Sequence, residues 1–130
     1  MILADSSAWV EFLRRTGHPS HRALARLAPG GRIAVTDPVV MEILVGVPGY
    51  QVGEYRARLL ALPFIPVDGP SDFEGAAEIY RRCRDRGETI RSLIDCLIAA
   101  VAIREEAELL HNDADFEAIA RHTALRIYRP

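Results

Sequence analysis

Carboxylates interrupt the most apolar stretches of this chain at four places, and no other feature constrains its fold as tightly. Met1-Ile2-Leu3-Ala4 runs straight into Asp5, and Glu42 lies inside Val39-Val40-Met41-Glu42-Ile43-Leu44-Val45. Asp95 lies inside Leu93-Ile94-Asp95-Cys96-Leu97-Ile98-Ala99-Ala100, while Leu109-Leu110-His111-Asn112 leads into Asp113 and Asp115. A carboxylate among aliphatic side chains is costly to bury unless something pairs with it. Four such sites brought together repel one another, so the partner that suits them is a hard divalent cation with oxygen ligands. The pattern points to metal-assisted chemistry.

With 130 residues, 49% of them hydrophobic and 26% charged, the chain has the size and composition of one globular domain, residues 1–130, with a real core. No apolar run approaches the roughly 18 residues that suggest a membrane span. Asp5 interrupts the only N-terminal candidate for a secretion signal. Cys83 and Cys96 make no disulfide framework and no zinc motif, which fits a reducing cytoplasm. All 16 basic residues are arginine, a bias that GC-rich coding alone explains. It still excludes chemistry: without lysine there is no Walker-A loop, no internal aldimine and no Ser-x-x-Lys pair. The net charge of −2 by itself names no partner.

Capping signals and periodicity divide the chain into alternating elements. Ile2–Asp5 reads as a strand, with Ser6 and Ser7 as caps for a helix that stops before Gly17. A second helix follows His18-Pro19-Ser20 and closes at Pro29-Gly30-Gly31. Strands are expected at 32–36, 64–67, 108–112 and 125–129, and helices at 38–46, 50–62, 71–85, 92–106 and 113–122. The expected fold class is α/β, a three-layer α/β/α sandwich around a mainly parallel sheet of five strands. Right-handed crossovers place the carboxyl ends of such strands along one edge, where ligands bind. Asp5 and Asp113 reach that edge from strand ends. Glu42 and Asp95 reach it from early helical turns.

Each carboxylate also has a plainer explanation. Asp5 could cap a helix, although two serines compete for that task, and Glu42 could lie on a solvated face. Ser92-x-x-Asp95 is a capping-box signature, yet a helix N-terminus also steadies a carboxylate holding metal. One of Asp113 and Asp115 serves as an N-cap, with Asp113 nearer the strand tip. Asp37, in Thr36-Asp37-Pro38, reads as a cap alone. His111 reads as a core or edge residue, and His18, His21 and His122 as surface positions. Trp9 and Phe12 read as core. The Arg81–Arg86 cluster suits a helix C-terminus. Arg91, just before the Asp95 helix, is the better candidate for touching phosphate.

Taken together, Asp5-Ser6-Ser7-Ala8-Trp9, Met41-Glu42-Ile43-Leu44-Val45-Gly46, Ser92-Leu93-Ile94-Asp95-Cys96-Leu97-Ile98-Ala99-Ala100 and His111-Asn112-Asp113-Ala114-Asp115-Phe116 resemble the four motifs of PIN-domain proteins. Their order, spacing and total length are most similar to VapC toxins of type II toxin–antitoxin pairs, over essentially the whole chain. The resemblance implies a magnesium- or manganese-dependent endoribonuclease. It places Asp5, Glu42, Asp95 and Asp113 at the acidic site positions, Asp115 at a less constant one, and Ser6 at a small hydroxyl position. It further implies a homodimer inhibited by a VapB-type antitoxin, whose other end binds operator DNA. A silent PIN-like binding module and a non-toxin RNA-processing nuclease are the alternatives.

The chemistry so implied is hydrolysis of an RNA phosphodiester. One or two cations on Asp5, Asp95 and Asp113 neutralise the phosphate and acidify a water, which Glu42 orients or deprotonates. Attack by water leaves 5′-phosphate and 3′-hydroxyl ends. A dehalogenase-type phosphatase needs a second aspartate where Ser7 stands, and both it and a receiver domain normally use a lysine that is absent here.

Overall fold

The computed structural model describes residues 1–130. In chain order its elements are β1 (Ile2–Ala4), α1 (Ser6–Leu13), α2 (Pro19–Leu27), β2 (Ile33–Ala34), α3 (Asp37–Gly46), α4 (Val52–Leu60), α5 (Gly69–Asp85), α6 (Leu93–Arg104), β3 (Glu108–Leu110), α7 (Ala114–His122) and β4 (Arg126–Ile127). Short 3-10 turns at Ala28–Gly30 and Gly49–Gln51 link them. The sheet has the order β2-β1-β3-β4 with every pairing parallel. Ile2 faces Ile33 on one side and Glu108 on the other, so β1 is a central strand.

The central strands are apolar without alternation because helices flank the sheet and cover both faces. Leu3, Ala4, Ile33, Ala34, Leu109 and Leu110 are fully buried. They belong to a single core of 32 buried apolar residues. Helix α6 runs through that core: from Asp95 to Ala102 every residue is buried, while Leu93 at its start is exposed. Helix α5 packs along α6, and both meet α7; α1 packs on α2 and α3.

The fifth strand expected at 64–67 is reduced to one bridge, Val35 to Phe64. The start of α3 explains this. Val35 N–H donates to the Pro63 carbonyl at 3.0 Å and Ile65 N–H to the Val35 carbonyl at 2.8 Å, but the next rung needs an extended residue 37, and the chain already turns into α3 at Asp37. Val67 N–H turns away to the Asp37 carboxylate at 2.9 Å. Asp37 therefore is not the cap expected of it. Thr36 occupies the N-cap position, and the Asp37 side chain holds the segment that replaces the missing strand.

The histidines are half-buried rather than surface residues. His18 caps α2 through its ring, His21 accepts the Gly17 N–H, and His122 joins Arg121 on Glu88. Trp9 and Phe12 meet edge to face at 5.6 Å, as expected of core neighbours. Cys83 and Cys96 are buried and free. No helix is long and apolar enough to cross a membrane.

Behind the sheet, Asp72 of α5 is 2% exposed and accepts two bonds from Arg104 of α6, Nε and Nη2 each at 3.0 Å. Arg104 Nη2 also donates to the Pro66 carbonyl at 2.9 Å. Removing one partner leaves a buried carboxylate without its counter-charge. Arg104→Ala is expected to lower the unfolding free energy by about 3 kcal/mol, measured by urea denaturation.

Candidate metal centre

Every acidic residue of the four motifs is placed by a strand end or a helix start. Asp5 follows β1, its N–H bonded to the Leu110 carbonyl of β3 at 2.9 Å, so the first and fourth motifs are in register. Asp5 itself is the N-cap of α1, a task expected of Ser6 or Ser7. The backbone stays extended through Asp5, and only from Ser6 onward is it helical. Its Oδ2 accepts the Ser7 N–H at 2.9 Å and the Ser7 hydroxyl at 2.6 Å. Glu42 projects from the second turn of α3 and accepts the Ser6 hydroxyl at 3.0 Å. Asp95 lies in the first turn of α6, which Ser92 caps by accepting the Asp95 N–H at 3.4 Å. Asp113 is the N-cap of α7 and accepts the Asp115 N–H at 2.9 Å.

These residues converge. Ligand oxygens of Asp95, Asp113 and Asp115 lie within 4.8 Å of one another. Asp115, which the resemblance puts at a less constant position, is thus a full member of this set, and Asp5 stands beside it. The electrostatics tie in the remaining two. Asp95 is pushed up to about 8, first by burial and then by the charges of Asp5, Asp113 and Glu42. Burial raises Asp5 despite its bonds from Ser7, with Asp113 adding repulsion. Burial also raises Glu42, with Asp5 and Asp113 repelling it further and the Ser6 hydroxyl opposing. The four motif carboxylates therefore share one place, with Asp5 and Asp95 buried in it.

Arg91 is the cation nearest to hand. Its Nε lies 3.3 Å from Asp115 Oδ1, its Nη2 3.4 Å from Asp113 Oδ1, and its backbone N–H donates to Asp115 Oδ2 at 3.1 Å. The guanidinium remains 75% exposed, so it screens the acidic set only from its rim. The Arg81–Arg86 cluster serves its own helix: Arg82 pairs with Glu78 and Arg84 lies over the Tyr80 ring.

The donor set fits a divalent cation. It consists of carboxylate oxygens alone, the preference of hard metals such as magnesium or manganese. Asp5 Oδ1 is buried with no hydrogen-bond partner, which is costly unless a cation meets it. Asp5, Asp95, Asp113 and Asp115 are the residues that would hold such an ion.

Comparison with known proteins agrees with this arrangement. Residues 2–122 match the PIN domain family. The chain belongs to the PIN-domain family. This PIN domain is 48% identical over 129 residues to Ribonuclease VapC11 of Mycobacterium tuberculosis, covering 97% of this chain and 96% of that protein. It shows the same identity and coverage to the VapC ribonuclease Mb1587 of Mycobacterium bovis. Among solved structures it superimposes on VapBC2 from Rickettsia felis bound to a promoter DNA fragment, with a TM-score of 0.76 and 22% identity over 98% of both chains. FitAcB from Neisseria gonorrhoeae gives 0.74 at 24% identity, covering 100% of this chain and 98% of the other. These two likenesses concern the fold.

Reading the motifs did not single out Ser7, Asn112 or His111 as parts of the site. Ser7 Oγ joins two motifs, donating to Asp5 and accepting the Asn112 N–H at 2.9 Å. Its adjacency to Asp5 was the available signal, but a serine there reads equally well as a cap.

The raised Asp95 carboxyl has a consequence for stability. In the folded chain it keeps its proton to about pH 8, whereas in the unfolded chain it releases it near the ordinary value of 3.8. The folded state therefore binds more protons across that window, and the Asp95 contribution to stability is lost as pH rises through it. In chelator at pH 8, Asp95→Asn is expected to melt higher than wild type by about 5 °C. The difference should shrink toward pH 4; calorimetry across this range checks it.

Proposed function

We propose that this PIN domain, residues 1–130, is a magnesium- or manganese-dependent endoribonuclease and the toxin of a type II toxin–antitoxin pair. The observation that carries the reading is the gathering of four acidic positions, Asp5 and Asp95 buried and Glu42 and Asp113 half-buried, in a chain 48% identical to VapC ribonucleases along nearly its whole length. Asp5, Asp95 and Asp113 would hold the cation, joined by Asp115 from the same oxygen set. The cation, when bound, neutralises the scissile phosphate and activates the attacking water.

The other steps belong to side chains of the chain itself. Glu42, steadied by Ser6, orients the water and takes its proton. Burial and neighbouring charge raise the proton affinity of Glu42, which suits a base working near neutral pH. Water oxygen attacks phosphorus in line, the bond from phosphorus to the 3′-oxygen breaks, and that oxygen takes a proton from solvent. The products carry 5′-phosphate and 3′-hydroxyl ends. Arg91, exposed at the rim and already bonded to Asp113 and Asp115, meets the substrate phosphate. With a net charge of only −2, binding of RNA rests on this local charge and weakens as salt rises.

A groove of about 420 Å³ runs from Ser6 and Glu42 past Val10, Leu13, Ile43 and Tyr55. Its apolar lining beside the acidic site suits the C-terminal segment of a VapB-type antitoxin, which would cover Glu42 as it binds. Operator DNA is reached only through that antitoxin. Met41, Val45 and Tyr50 are exposed and offer apolar surface suited to a homodimer. The absence of cysteine pairing fits action on RNA in the cytoplasm.

Purified protein is expected to cleave RNA in magnesium or manganese and to stop in chelator. Asp5→Asn or Asp95→Asn should abolish cleavage in a folded protein, and full activity in either would overturn the assignment. Glu42→Gln should lower the rate about 10²–10⁴-fold, read by single-turnover kinetics. Expression of the chain should arrest growth, and co-expression of the neighbouring small reading frame should relieve it. Unaffected growth with intact RNA would remove the toxin reading.

A further inference from the structure

The chain leaves β3 through three irregular residues whose backbone groups need partners away from the sheet. Each finds one. The His111 carbonyl accepts the hydroxyl of Ser20, a residue 1% exposed, at 3.2 Å. The Asn112 N–H donates to Ser7 Oγ, and the Asp113 N–H donates to His111 Nδ1 at 3.0 Å. The last of these bonds bears on the site, because a side chain that is not acidic holds the amide of a carboxylate in the acidic set.

The bond also decides the state of the ring. A backbone N–H can only donate, so Nδ1 carries no proton and the ring hydrogen sits on Nε2. Nε2 faces Glu117 Oε2 at 2.9 Å, and Glu117 is held in turn by Arg129 at 2.6 Å. The ring is 9% exposed and packs against the fully buried Phe116 with centroids 5.3 Å apart. Bonded at both nitrogens and packed on one face, it has no freedom to turn.

We infer that His111 is a positioning residue of the metal centre: its Nδ1 holds the Asp113 amide and so sets where the Asp113 carboxylate points. The inference rests on the metal-centre reading above and assigns a role that the acidic motifs do not contain. With the amide fixed, Asp113 Oδ1 is committed to the Asp115 N–H, which places both carboxylates of the pair with respect to Asp95. Groups that orient ligands in this way typically change metal affinity about 10–100-fold when removed.

Two substitutions separate the two bonds of the ring. His111→Asn carries an oxygen as many bonds from Cβ as Nδ1 is, so it can still accept the Asp113 N–H. His111→Gln carries an amide nitrogen at the distance of Nε2, so it keeps the Glu117 contact and loses the Asp113 contact. Manganese binding by the purified full-length chain, measured calorimetrically without RNA and below the melting midpoint of each variant, reads the outcome. His111→Gln is expected to weaken binding about tenfold or more, and His111→Asn to stay within about threefold of wild type. Wild-type affinity in His111→Gln, or equal losses in both variants, overturns the positioning role while leaving the metal centre intact. A wild-type chain that binds no manganese overturns the metal centre and this role with it. If His111→Gln does not fold, hydrogen exchange of the wild-type Asp113 amide decides: slow exchange supports the bond, and fast exchange overturns the proposal.

Discussion

Mutual repulsion among carboxylates held out of water is the interaction around which this molecule is organised. Asp95 shows it most plainly, with its proton retained to about pH 8 by burial and by the charges of Asp5, Asp113 and Glu42. A fold does not keep such a cluster without offsets. Here they are the capped N-terminus of α6 beneath Asp95, the paired bonds from Ser7 to Asp5, the Ser6 hydroxyl on Glu42, and Arg91 across Asp113 and Asp115. None of them neutralises the whole set. One oxygen of Asp5 is left buried without a partner, and a divalent cation meets that requirement best.

The rest of the fold holds those groups still. The parallel strands bring the ends of β1 and β3 side by side, and the Asp5 amide is bonded directly to β3. Helix α6 is buried along most of its length, so Asp95 cannot move without disturbing the core. The pairing of Asp72 with Arg104 ties α5 to the far end of the same helix. At the strand tips, Ser7 and His111 hold the backbone of 112 and 113. Rigid placement of ligands is what lets a site built from weak oxygen donors bind a cation in a defined geometry.

Much of this was legible along the chain. Apolar runs bounded by Ser, Pro and Gly marked the helices and strands to within a few residues. Carboxylates inside those runs marked the site, because burying a charge without purpose is costly. What misled was local pattern, and the causes lay far along the chain. Phe64–Val67 has strand composition, but its ladder ends after one bridge because the partner segment turns into α3 at Asp37. Thr36-Asp37-Pro38 has the form of a capped helix start, yet the Asp37 carboxylate is drawn to Val67, thirty residues away. His122 resembles a surface residue until Glu88, thirty-four residues earlier, is brought against it.

The sequence alone determined which residues are acidic, which elements carry them and in what order, because burial cost and helix capping act over a few neighbours. Tertiary structure decided which carboxylates share oxygen distances. It drew Asp115 into the tight set, left Asp5 as a helix cap with one free oxygen, and turned Ser7 and His111 from local residues into supports of the site. The physical reason is range. Repulsion and desolvation depend on distances in space, and these exist only once β1, β3 and α6 have packed together.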